Sequence, residues 1–276
     1  MAIPSRYANL LQGIASKFDA LRPESILNCG SLVGQLVSTG FAQARLNEEL
    51  KKLIAEPEFD GDWGTKEVVL HRGRGWTATV ALLDSPRRYI HVVPVVGFHA
   101  PLGRAELAVE RYALPDAYRN EIFDPGIRVE FLDQVSVRTG DMLTVGANPR
   151  IAHYLHISRP IAVLRIETSP TQPLEWLFSR QTLQAWQAND AAMSYTQLRV
   201  AAYVLGKIAH QSSIGPLRNL AAHPHHAVRW AAIQNLGRLN RSEAIVKIRE
   251  AVNDSHPHVR RAAQKTLERL EGKSTG

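Results

Sequence analysis

Three segments near the C-terminus recur at a fixed spacing, and that spacing limits what the last third of the chain can become. QLRVAAYVLGKI, VRWAAIQNLGRL and VRRAAQKTLERL set Leu205, Leu236 and Leu267 31 residues apart, with Ala201, Ala232 and Ala263 in step. Between them lie SIGPLRNLAA and SEAIVKIREAV, each with a helical apolar rhythm, and the loops HPHH and NDSHPH. Two helices per short repeat cannot bury their apolar faces alone, so successive repeats must stack. The pattern predicts an α-solenoid, with small alanines where helices approach closely. The first repeat has Gln197-Leu198 where the others have Val-Arg, and reads as the joining repeat. The helical period begins at about Pro173, which places this region at 173–272.

Upstream the pattern is different. KEVVLHRG, WTATVALLD, RYIHVVPVV, AELAVERYAL, RVEFLDQVSV, DMLTVGAN, AHYLHI and PIAVLRIET are short runs rich in Val, Ile, Thr and Tyr, many of them divided by Gly, Pro, Asp or Asn. Such runs, with no helical pattern between them, predict an antiparallel β-barrel or jelly roll over 61–172. Arg87–Tyr112 and Gly140–Ser169 read as two hairpins whose shared mouth holds a site. VEFLDQVSVRTGDMLTV reads as a hairpin about Arg138–Gly140, and VGFHAPLG as a Gly/Pro-rich turn. Residues 1–60 read as helical, with Leu10, Leu11, Ile14, Phe18 and Leu21 in one rhythm and a turn-rich link, EPEFDGDWG, at the end. The expected class is α+β multidomain: N-terminal helices packed on a β-barrel, then an all-α solenoid.

Composition excludes several classes. No run of about 18 apolar residues is present, so no membrane span is expected. MAIPSRYANLLQGIASKFDALRP carries charges among its apolar positions and reads as an amphipathic helix rather than a signal peptide. The single cysteine, Cys29, rules out a disulfide within the chain, and the cytoplasm is the expected compartment. From Tyr195 onward 13 Lys/Arg face 5 acids, so the net charge of +7 belongs to the solenoid. HRGRGW is a basic turn rather than a phosphate loop, because no helix follows it.

The C-terminal segments resemble HEAT repeats, especially the short type of phycobilisome-lyase-like proteins, through the recurring Val-Arg-x-Ala-Ala core. The β region resembles a cupin of the cysteine-dioxygenase-like branch. That resemblance rests on the preceding helices, on Ile90-His91 closing one strand and Glu106-Leu107 to Arg111-Tyr112 forming the next. Gly140-Asp141 followed by Ala152-His153-Tyr154 and Pro160–Leu164 completes it. It implies a mononuclear iron held by His-x-His and a later histidine. His91 matches the first ligand and His153 the third, but Val93 stands at the second, and Phe98 where that branch has a cysteine. His99, Glu106 and His156 are the possible third ligands to Fe(II) or another divalent metal. His153 and His156, three apart, point to opposite faces of a strand. Arg72, Arg165 and Tyr112 are the substrate-binding candidates.

Three functions follow. The first is a small-ligand-binding cupin with a degenerate metal site, its HEAT repeats serving a protein partner or self-association. The second is a non-haem iron oxygenase acting on a small carboxylate or thiol. The third is a basic nucleic-acid adaptor, the least expected of the three. In the solenoid, Arg229, Arg260 and Arg261 form a column open to a partner, or brace adjacent repeats, with Asp254 as a candidate acid. The two His-Pro-His turns read as helix starts capped by Asp254 or Ser255, or as a surface metal or pH-sensitive patch.

Overall fold

In this computed structural model the described residues are 5–272 apart from Pro57, Asp60 and Pro86, so the link EPEFDGDWG lies partly outside them. The chain divides into two units, residues 1–118 with 123–189, and residues 119–122 with 190–276.

The first unit opens with α1 (Ser5–Lys17), a 3-10 turn over Pro23–Cys29, α2 (Gly30–Ser38) and α3 (Phe41–Ala55). Tyr7, Leu11 and Ile14 line the buried side of α1 at helical spacing. The strands follow: β1 (Glu67–Gly73), β2 (Trp76–Leu83), β3 (Tyr89–His91), β4 (Gly97–Pro101), β5 (Glu106–Ala113) and β6 (Glu130–Arg138). Next come β7 (Leu143–Val145), β8 (Ile151–His156), β9 (Ile161–Thr168), β10 (Leu174–Ser179) and β11 (Ala185–Asp190). They form a five-stranded sheet, β1-β2-β9-β4-β7, and a six-stranded sheet, β11-β10-β3-β8-β5-β6.

The pairings are nested. β2 lies against β9, β3 against β8, β4 against β7 and β5 against β6, with β4·β9 and β5·β8 joining them sideways. A long antiparallel ribbon wound over itself in this way is a jelly roll: two facing sheets rather than a closed barrel. The two hairpins expected over Arg87–Tyr112 and Gly140–Ser169 are therefore strands that alternate between sheets and pair with each other. The hairpin expected at Arg138–Gly140 is a corner, since β6 pairs with β5 and β7 with β4.

Three apolar clusters hold the unit. The helices bury Tyr7, Ile14, Leu36 and Phe41 against Leu70, Trp76, Phe98, Leu164 and Ile166 on the outer face of the first sheet. Leu107, Val109, Leu143, Val145 and Val163 meet between the sheets. Ile90, Tyr154, Trp176 and Phe178 cover the outer face of the second. Cys29 is packed in the first cluster, where burial pushes its thiol up.

β10 and β11 correct the expected domain boundary. Residues 174–190 continue the second sheet, and the separate unit begins at Asp190, not at Pro173. LEWLFS buries Leu174, Trp176 and Phe178 on alternate positions, a strand period that a short apolar run does not reveal unaided.

The second unit contains α4 (Met193–Ile208), α5 (Ile214–Leu220), α6 (His226–Leu239), α7 (Arg241–Ala251) and α8 (Pro257–Gly272), the helix pairs the 31-residue repeat predicts. Ala202, Ala232, Leu236 and Ala244 pack in one cluster, and Ile233, Ile248, Val259 and Ala263 in the next. Asn240 starts α7 by accepting from the Glu243 amide at 3.1 Å, and Arg218 of the preceding repeat reaches the Glu243 carboxylate.

Candidate functional site

Alternation along the strands builds the site. On β3, Ile90 faces the outer cluster and His91 faces inward, and on β8, Ala152 and Tyr154 face out and His153 faces in. On β9, Leu164 and Ile166 pack under the helices while Arg165 and Glu167 point between the sheets. β4 is buried along its whole length, so Phe98 meets the helices and His99 the interior. Glu175 enters from β10 between Leu174 and Trp176. A cavity of about 240 Å³ results, with walls that include Arg87, His91, His99, His153, Arg165 and Glu167, and an apolar side of Val93, Val95, Leu143, Val145 and Leu155.

Its polar groups are unequally satisfied. His91 Nδ1 lies 2.9 Å from Glu175 Oε1, and His99 Nε2 is hydrogen-bonded to Glu167. Burial works against the Glu167 carboxylate, but the neighbouring His99 and Arg165 hold its pKa below the usual range. Burial, with the fields of His99 and Arg111, pushes His153 down to about 4. His153 Nδ1 and Arg165 Nε are both buried with no hydrogen-bond partner among the described residues. Burial, then the charge on Arg165, lowers the pKa of Arg87, so the two guanidinium groups feel each other across the cavity.

The depressed His153 has a consequence for stability. A histidine neutral in the fold but free to protonate when unfolded contributes fully above its unfolded pKa of about 6.5, and the contribution is lost as pH falls towards 4. Stability of the first unit is expected to drop on the order of 3 kcal/mol over that window. Urea unfolding at pH 7.5 and 4.5 measures the drop, and His153→Gln should flatten it.

The other site candidates lie elsewhere. Arg72 is exposed and paired with Asp62 at 2.9 Å. Glu106 is exposed at the start of β5, bonded to Ser136 and 3.7 Å from Arg138. His156 and Tyr112 lie on the outer face of the second sheet. There Glu110 accepts from Tyr112, meets His156 Nε2 at 2.7 Å and Arg180 at 3.0 Å. Burial and that carboxylate push Tyr112 up to about 12. His153 and His156 thus occupy opposite faces, as their spacing requires. The Gly/Pro-rich turn expected at VGFHAPLG is strand β4, which carries His99 into the cavity without any loop folding back. Sequence reasoning missed Glu175, Glu167 and Arg87. Position i+2 from Arg165 was the available signal for Glu167.

In the solenoid, Arg229 is not displayed to a partner. Its guanidinium grips Asp254 at 2.6 and 2.9 Å and the carbonyls of His223 and Pro224. Arg260 bonds the carbonyls of Asp254 and Ser255, while Arg261 is exposed. Among the described residues, the group of three metal-type side chains whose donor atoms all lie within 4.8 Å of one another is His226, His256 and His258. No helix of the described residues is long and apolar enough to cross a membrane.

Comparison with known proteins matches residues 188–268 to the HEAT-repeat family. No curated protein matches the chain. Among solved structures it is similar to hydroquinone 1,2-dioxygenase PnpCD in complex with Cd2+ and 4-hydroxybenzonitrile, at 16% identity and TM-score 0.29 over 40% of this chain and 66% of that one. A second is hydroquinone 1,2-dioxygenase from Sphingomonas sp. TTNP3 with 4-hydroxybenzoate bound, at 12% identity and TM-score 0.31 over 42% and 71%. A third is a cupin-superfamily sugar phosphate isomerase from Silicibacter pomeroyi, at 11% identity and TM-score 0.26 over 44% and 72%. The architecture is a jelly roll of two facing sheets followed by stacked helix pairs, and residues 188–268 of the latter match HEAT repeats.

Proposed function

We propose that the jelly roll binds a small organic anion between its sheets, a compact carboxylate anchored by Arg165. The observation that carries this reading is the buried Nε–H of Arg165, a side chain that lines the cavity, which has no hydrogen-bond partner among the described residues. An unpaired buried donor on a charged group costs about 1–3 kcal/mol or more, and a carboxylate is the ligand a guanidinium fork suits best. Arg87 supports the same reading, because an anion between two guanidinium groups relieves their repulsion. His91 and His99 hydrogen-bond Glu175 and Glu167, and although both carboxylates also lie in the field of the arginines, the Arg165 Nε–H is left to a ligand. The apolar wall suits a hydrocarbon or aromatic body, and the neutral His153 offers a hydrogen bond to a further polar group. In this reading the repeats serve as an interaction surface, as stacked α-solenoid repeats do.

Benzoate and short aliphatic carboxylates, titrated calorimetrically, test it. Arg165→Met is expected to weaken binding at least tenfold, about 1.4 kcal/mol, while Arg72→Ala binds as the parent does. Unchanged binding by Arg165→Met would sink the proposal.

One observation favours the metal-enzyme reading: three imidazoles and two carboxylates share this cavity, a donor set suited to iron or another divalent transition metal. The type of donor fits but the spacing does not. Those donors do not form a three-membered group within 4.8 Å among the described residues, and His91 and His99 are engaged by carboxylates.

A further inference from the structure

The turns between HEAT repeats hold a second cluster, independent of the cavity. His225 and His256 occupy equivalent positions one repeat apart, and His226 and His258 fall in the first turns of α6 and α8. His226 and His256 stack ring on ring with centroids 3.7 Å apart, and His258 meets the His256 ring edge-on at 5.0 Å. Donor nitrogens of the three all lie within 4.8 Å of one another. This convergence is built by the backbone. Asp254 Oδ1 accepts from the His256 amide at 2.8 Å and is clamped by Arg229, which fixes the turn that presents His256 and His258.

We propose that His226, His256 and His258 form a binding site for a divalent transition-metal ion of the zinc class, joining two successive repeats at their turns. Three imidazoles are a donor set that suits zinc, nickel or copper and disfavours magnesium or calcium, which want oxygen. His256 Nε2 lies 2.9 Å from the carbonyl oxygen of Glu121, so that nitrogen carries the proton and Nδ1 keeps the lone pair. That lone pair now accepts only a long bond, 3.2 Å, from the His258 amide. Zinc–nitrogen bonds of about 2.0–2.1 Å in a tetrahedral site set donors roughly 3.3 Å apart. The ring nitrogens that lie within 4.8 Å of one another must therefore draw together by about 1.5 Å at most, with any turn of the His256 ring that brings Nδ1 to the ion in addition. Stacked rings cannot share an ion in their planes, so a turn of the half-buried His226 ring accompanies binding. The fourth position is left to water.

Zinc chloride titrated calorimetrically into the full chain, EDTA-treated and free of any polyhistidine tag, tests this. One equivalent is expected, retained in the His91→Ala/His153→Ala variant and weakened at least tenfold in His258→Ala, whose side chain is exposed. His226→Gln provides a second reading and is expected to lose affinity similarly. Cobalt substituted for zinc should give tetrahedral visible absorption in the parent and lose it in His258→Ala. The proposal is overturned if the parent takes up no zinc, if His258→Ala binds as tightly as the parent, or if only the cavity variant loses the metal.

Discussion

Gly97→Val is expected to abolish the folded jelly roll. A Cβ at position 97 would stand 2.1 Å from the Ile166 carbonyl oxygen and 2.8 Å from the Glu167 Cα, both backbone atoms of β9 that no rotamer can move aside. β4 sits between β9 and β7, so relief requires opening a central ladder. The expected cost is about 4 kcal/mol or more, beyond the usual range for a point substitution. The same displacement would part His99 from Arg165, its cross-strand neighbour, and so dismantle the cavity. Urea unfolding followed by far-ultraviolet circular dichroism checks it, and a midpoint close to the parent's would refute the packing described. Gly146, at φ +69° with a Cβ 2.0 Å from the Val95 carbonyl oxygen, is a second position where backbone crowding demands glycine.

Arg229→Ala is the largest effect expected in the solenoid. The Arg229–Asp254 side chains are only 13% and 11% exposed, and the guanidinium also holds two carbonyls of the preceding turn. Removing one member of a buried pair leaves the other charge uncompensated, at about 3–5 kcal/mol. Burial opposes the Asp254 carboxylate, but the Arg229 hydrogen bonds hold its pKa below the usual value. Its contribution is therefore present above the unfolded pKa near 4 and is lost as pH falls further. Amide hydrogen exchange across residues 190–270 is the suitable readout. Protection should collapse there in Arg229→Ala while the strands of the first unit keep theirs.

How much of this was legible in the chain depended on how often a pattern repeats. The solenoid announced itself because Leu205, Leu236 and Leu267 sample one environment three times. Bracing by an arginine after valine, through an acid in the preceding loop, was one of two readings of the arginine column; Asp254 does brace, but the arginine it holds is Arg229, one repeat before it. The jelly roll was legible as strands but not as pairings, because β3, β4 and β5 change sheets at each step and local alternation carries no record of that. His91 and His153 were reached through the cupin resemblance, as metal ligands, and both line the cavity. They are direct cross-strand neighbours, a register that no spacing in the sequence specifies. His99 was harder. A strand buried on both faces loses its alternation, and Gly97 and Pro101 at its ends look like turn punctuation. Glu175 was hidden for a different reason. β10 is a short apolar run beside the helical region, and its period is too brief to separate strand from helix.

The central claim is that Arg165 waits in the cavity for an anion, and the resonance of its own Nε–H tests that most directly. In the EDTA-treated full chain, benzoate or a short aliphatic carboxylate should shift the Arg165 15Nε–1H signal, assigned by its loss in Arg165→Met. The shift should saturate at one ligand per chain without added metal. An Arg165 signal that stays fixed under saturating carboxylate, or that moves only after a divalent metal is restored, would contradict the account and return the cavity to the metal-enzyme reading.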